Sequence, residues 1–277
     1  MPNPEITCKL TGATGPGVEA HIIPRSLYQL GGEIGTIVYI DGDNYREARM
    51  PMGEYDTTIV TIEGEKYFSD CDAYAARFFL NSRGENDEKV GHLVCDDDGA
   101  PVAAILGPDV ADKDLIRRLC MSILWRASVS SRPFFNGVNV GVHESRLRGL
   151  ILRGEAGDPS DFSIILCRWT DIPELGSPIQ KPHFDGAEGV SGYRFYLPQF
   201  SFFIKVDDRP FPEDLLSCVV GGDDLLSIFM MGRFADSPSG KTVKEAVKRN
   251  ALEQAQKHGL TFEEYLDKRL NLRNDRR

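Results

Sequence analysis

Residues 162–170, FSIILCRWT, form an almost unbroken apolar run of strand length. A strand that is apolar on both sides must be covered on both faces, so this run predicts a central strand in a sheet. Around it the chain offers both strand and helix signals. Tyr193–Leu197 and Phe200–Val206 bracket Pro198 and Gln199 and predict a hairpin. Leu225–Met231, Val90–Val94 and Pro101–Ile105 read as further strands, the last two around the turn DDDG. Residues 112–131 carry Leu115, Ile116, Leu119, Ile123 and Leu124 at helical spacing and predict the strongest helix. A shorter helix is expected over His143–Leu152. The C-terminus predicts a helix over Lys241–His258 and another opened by a capping box, Thr261 to Glu264.

The first 80 residues differ in texture. Ile6–Leu10 reads as a short strand running into the turn TGATGPG, and Pro24 fits the first turn of a short helix over Pro24–Leu30. GTIVYIDGD at 35–43 and the run Thr57–Ile62 read as β structure. Ser69–Leu80 reads as a helix capped by Ser69 or Asp70, with Ala75, Phe78 and Phe79 as its apolar stripe. NSRGENDE at 81–88 is the clearest linker. Strands and helices without strict βαβ alternation place the chain in the α+β class. The expected organisation is a small, turn-rich lobe over 1–80, then a larger α+β domain over 85–277 with a C-terminal helical segment.

Composition narrows the function classes. The chain has 277 residues and a net charge of −10, which opposes non-specific affinity for nucleic acid. The charge is uneven: residues 1–80 hold 6 Lys/Arg against 12 Asp/Glu, whereas 241–277 hold 10 against 6. A polyanion would therefore meet the basic tail before the acidic body, and any nucleic-acid binding is expected to be weak. No apolar run approaches the roughly 18 residues of a membrane span, so no membrane partner is expected. The opening MPNPEITCKLTG carries no secretory signal. Six cysteines at 8, 71, 95, 120, 167 and 218 are scattered, with no Cys-x-x-Cys pair. This usage fits a reducing, cytoplasmic setting.

Several well-known chemical motifs are missing. There is no Gly-x-x-x-x-Gly-Lys phosphate loop, no Gly-x-Ser-x-Gly elbow and no His-Glu-x-x-His helix. GGEIG at 31–35 lacks the strand-then-helix context of a dinucleotide fingerprint. The informative stretch is Cys8-Lys-Leu-Thr11-Gly12 followed by Glu19-Ala20-His21-Ile22-Ile23-Pro24. It resembles the start of HNH nucleases of the ββα-metal, treble-clef type, which show Cys-x-x-Cys-Gly and then Asp/Glu-His-Ile-x-Pro. TIEGEKYFSDCDAYAARFFL at 61–80 and LWRASVS at 124–130 look like segments of bacterial proteins with such a start.

The resemblance implies a structural zinc held by four cysteines, at positions that read Cys8, Thr11, Thr61 and Gly64 here. One thiolate cannot supply a tetrahedral zinc site, so no structural zinc is expected. The resemblance also implies a general base, matched by His21, beside an acidic residue and a divalent metal. That acidic place is held by Ala20, with Glu19 one position away on the other side of an extended chain. No His follows at 61–80, where the candidates are Glu63, Glu65, Asp70 and Asp72, with Glu65 singled out for catalysis and Asp72 as a ligand for a divalent metal. His183 beside Asp185, His143 beside Glu144, and the Trp125–Arg126 pair are further residues to place; Arg126 reads as an ion-pairing residue at the edge of the core.

Two functional readings follow. One is a non-catalytic HNH-like binding or regulatory subunit of a bacterial assembly, with a protein partner and no cofactor. The other is a metal-dependent endonuclease that hydrolyses phosphodiesters with magnesium or manganese and His21 as general base.

Overall fold

The computed structural model describes residues 3–31, 36–41, 44–49, 53–81, 92–170, 180–187, 189–197, 199–233, 236–265 and 267–268. The fold is α+β. It opens with β1 (Glu5–Thr7) and β2 (Thr14–Pro16), which pair antiparallel. β3 (Ala20–His21) leads into a 3-10 segment, Arg25–Gly31, where a helix is expected from Pro24. The hairpin β4 (Thr36–Asp41) and β5 (Asn44–Arg49) follows, and then β6 (Tyr55–Asp56), which returns to pair with β3.

The run Thr57–Ile62 is not a strand. It turns after β6, makes one isolated bridge from Thr61 to Gly17, and ends as the cap of α1 (Ile62–Glu65). The Thr61 hydroxyl accepts from the Gly64 N–H at 3.2 Å, and this local bond wins over strand propensity. A 3-10 turn, Lys66–Phe68, carries the chain directly into α2 (Ser69–Asn81). Ser69 and Asp70 therefore lie inside a continuing helical path. Of the expected linker at 81–88, Asn81 is the last residue of α2 and the remainder lies outside the described residues.

The larger part is built on one seven-stranded sheet in the order β10-β11-β12-β9-β13-β8-β7. β7 (His92–Cys95) and β8 (Pro101–Leu106) form one end of it. α3 (Lys113–Val129) begins at Asp112, whose carboxylate accepts from the Leu115 N–H at 3.0 Å. α4 (Glu144–Arg153) ends on Gly154 at φ 65°, a left-handed stop. β9 (Ile164–Arg168) lies fourth of seven, the central place its apolar run requires. β10 (His183–Ala187) forms the other edge, where the sequence reads as a Pro/Gly loop. β11 (Val190–Tyr196) and β12 (Phe200–Lys205) form the expected hairpin, and β13 (Leu226–Met230) pairs parallel to β9. α5 (Pro238–Lys257) is followed by the capping box at Thr261 and Glu264, which forms and opens a further helical stretch over 262–265.

α3 is the organising element. It packs on α2, α4 and β12, so its apolar residues bridge the first lobe and the sheet. One buried cluster runs from Cys8, Ile22 and Phe79 through Trp125 and Leu124 to Leu166, Phe202 and Ile228. Arg117, also on α3 and buried, donates to the carbonyls of Ala156, Asp158 and Val220 at 3.1, 3.0 and 3.0 Å. It thereby ties the helix to the loop that precedes β9. The second sheet face is covered by a smaller cluster of Val190, Phe203, Phe211 and Val219. Among the described residues, no helix is long and apolar enough to cross a membrane.

Candidate functional site

The chain folds back on itself directly after β1. The Cys8 N–H donates to the Ala13 carbonyl at 2.9 Å, and the Gly12 N–H to the Cys8 carbonyl at 2.8 Å. Gly12 sits at φ 77°, which closes the turn without a Cβ clash. The turn is pinned from two sides. Lys9 N–H donates to Ile59 O at 2.8 Å, and Lys9 Nζ reaches the Val129 carbonyl at the end of α3, 2.6 Å away. These ties bring Cys8 against the start of α1. A Cβ placed on Gly64 would lie 2.6 Å from Cys8 Sγ, so positions 8 and 64 are in direct contact. The Thr11 N–H points at the same sulfur, 3.5 Å away.

β3 then presents His21. Its partner across the ladder is Tyr55, and their rings lie 5.9 Å apart, tilted by 51°. Nε2 of His21 is buried. Ala20 is fully buried and Glu19 is exposed, the opposite sidedness expected of neighbours in an extended segment. Glu19 is therefore turned to solvent while Ala20 is turned into the core.

The helical path from Thr61 carries Glu65 and Asp72. α3 supplies the group that meets them. Arg126 is fully buried, and its guanidinium engages both oxygens of Asp72 at 2.9 Å each. It also donates to the His21 carbonyl at 2.7 Å and to Ser122 Oγ at 2.9 Å, and its Cζ stands 4.7 Å from the Phe68 ring centre. Burial works against the Arg126 charge, but Asp72 and Glu65 outweigh it and hold the guanidinium cationic. Glu65 fares differently. Burial pushes its carboxyl up, with Arg126 pulling it down and Asp72 adding to the rise. Its Oε2 is buried with no hydrogen-bond partner.

A second polar knot lies beside β6. Asp56 is 2% exposed and accepts from Thr58 N and Oγ1, Ser130 Oγ, and Ser131 N and Oγ at 2.7–3.0 Å. Burial alone would raise this carboxyl, but the bonds from Thr58 and Ser131 hold it well below the usual carboxylate range. It fastens β6 to the residues that follow α3.

His21, Asp72 and Arg126 thus meet, and Glu65 joins them through the charge of Arg126. Glu19 does not. His183 and Asp185 lie on the edge strand β10, where His183 stacks on Tyr196 and Asp185 pairs with Arg194 at 2.7 Å. His143 faces Asp208 at 3.7 Å, and Glu144 accepts from the Trp125 indole at 3.0 Å. Arg126 is the residue whose importance the sequence understates: it lies deep in the core, not at its edge. The signal was present, since a charge between Trp125 and Ala127 on an apolar helix face must find a partner. The sequence did not say that the partner is Asp72, 54 positions away. Asp56 gave no signal, because its five donors come together only by folding.

The residues present do not fit a divalent metal at Asp72, because both of its oxygens are already committed to a guanidinium. Among the described residues, no group of three or more His, Cys, Asp or Glu is placed to hold a metal ion. Comparison with protein-family models, with curated proteins and with solved structures finds no match.

Proposed function

We propose that this chain is a non-catalytic, HNH-like binding or regulatory subunit of a bacterial assembly, working in the cytoplasm on a protein partner. The observation that carries the reading is Arg126. A metal-dependent nuclease needs open carboxylate oxygens to hold a cation that stabilises charge on the phosphate and leaving oxygen. Here a fixed cation from α3 takes both oxygens of Asp72 and the carbonyl of His21. The Oε2 of Glu65 is buried, and burial raises its carboxyl, which weakens it as a metal ligand. The buried Nε2 of His21 is out of reach of a phosphodiester in solution.

The test is direct. Purified protein and its His21→Ala variant are incubated with plasmid DNA and with RNA, with magnesium or manganese. The expected outcome is no metal-dependent cleavage by either protein. Cleavage by the wild type that disappears in His21→Ala overturns the proposal in favour of a nuclease with His21 as general base.

A further inference from the structure

The resemblance implies a zinc ion at the junction of residues 8, 11, 61 and 64, and the residues found there do not fit one. Zinc needs four Cys, His or carboxylate ligands around it, with sulfurs about 2.3 Å from the metal. Cys8 is the single thiol of the set. The hydroxyls of Thr11 and Thr61 are engaged locally, accepting from Ala13 N and Gly64 N at 3.2 Å each. Space is the stronger argument. A Cβ on Gly64 would stand 2.6 Å from Cys8 Sγ, so the sulfur fills the space in which a fourth ligand's side chain would begin.

We propose that the Cys8 thiol, by direct packing against Gly64 and the first turn of α1, replaces a structural metal ion as the tie between the 8–13 turn and that helix. The tie holds whichever way the cleavage assay falls. It explains several otherwise separate features. Cys8 is fully buried, as is Leu10 beside it. Thr11 points its N–H at the sulfur. The turn is also braced by helices that a metal would not involve: Lys9 donates to the Val129 carbonyl, and Arg148 of α4 donates to the Leu10 carbonyl. Burial would raise the thiol, but the Thr11 hydroxyl and the N–H groups of Thr11, Thr61 and Leu10 more than offset this. The sulfur thus has polar support in place, as a buried polar atom requires.

The full chain is expressed with added zinc and purified without chelator. Its zinc content is measured by mass spectrometry, and its Tm is measured with and without EDTA. We expect zinc well below one equivalent and the same Tm in both buffers. Cys8→Ala and Gly64→Ala should each lower Tm by several degrees, the first by leaving a cavity and the second by crowding the sulfur. In the Cys8→Ala background, Gly64→Ala should lower Tm less than it does in the wild type, because its methyl enters the vacated space. One zinc per chain, a Tm that falls on chelation, or strictly additive Tm shifts would overturn the proposal. If Cys8→Ala does not fold, the zinc content and chelator response of the wild type decide alone.

Discussion

Two carboxylates, Asp56 and Glu65, should act on stability with opposite sign. Asp56 is held below the ordinary carboxylate range when folded. Its contribution is therefore present above the unfolded value of about 4 and is lost as pH falls below it. Asp56→Asn should destabilise the protein by about 1–3 kcal/mol at pH 7, the worth of hydrogen bonds to a charged acceptor. The deficit should begin to shrink as pH is taken from about 5 toward 3, where the unfolded chain's carboxyl takes up a proton that the folded one still refuses. Urea unfolding at several pH values measures both effects. Glu65 is raised when folded, so its charge costs stability above the unfolded value of about 4 and costs nothing below it. Glu65→Gln should be more stable than the wild type at pH 7, with the gain fading near pH 4. An unchanged or lower stability at pH 7 would contradict this placement of Glu65.

At the scale of elements, α2 and α3 are joined by the Arg126–Asp72 pair across a largely apolar contact. A buried pair broken from one side leaves a charge without its partner. Arg126→Met should therefore cost about 3–5 kcal/mol, and the double variant Arg126→Met, Asp72→Leu should recover much of that loss. Chemical denaturation of the single and double variants checks it; a double variant no better than Arg126→Met would mean the pair is not the source of the cost. The start of the helical path is a separate matter. Thr61 caps α1, so Thr61→Ala should cost about 0.5–2 kcal/mol, while Thr61→Ser keeps the bond and most of the stability. The sequence marked one of these helix starts and missed the other. Asp112 stands directly before a long apolar-periodic run, and α3 begins there. Ser69 also looks like a cap, but α1 and the 3-10 turn already run into it, so the real start lies eight positions earlier.

For the whole molecule, charge is the governing quantity. The chain carries −10 overall, yet Lys241, Lys244 and Lys248 stand exposed along α5. Spacings of three and four place them on one face of the helix. That face should give at most weak, salt-sensitive binding to nucleic acid. Changing all three lysines to glutamate should abolish any shift in a gel assay and should leave Tm nearly unchanged. Tight binding that survives both high salt and the triple change would contradict the assignment.

What the sequence determined by itself is the set of local signals. The apolar run at 162–170 required an interior strand, the period-3.6 pattern after Asp112 required a buried helix, and the Phe200–Val206 segment required a hairpin partner. Each depends on neighbours a few residues apart, so the pattern survives without knowledge of the rest of the fold. The edge strand β10 was hidden, because KPHFDG holds turn-forming residues and gains strand form only by pairing with β11. The candidate site was half legible for the same reason. His21 and the Cys8 turn announce themselves through spacing, whereas the commitment of Asp72 to Arg126 and the five donors on Asp56 exist only once α3 lies across both α2 and the β3–β6 pair. Only the tertiary structure could decide those, because a buried charge is matched by whichever partner the packing delivers, and sequence distance says nothing about that.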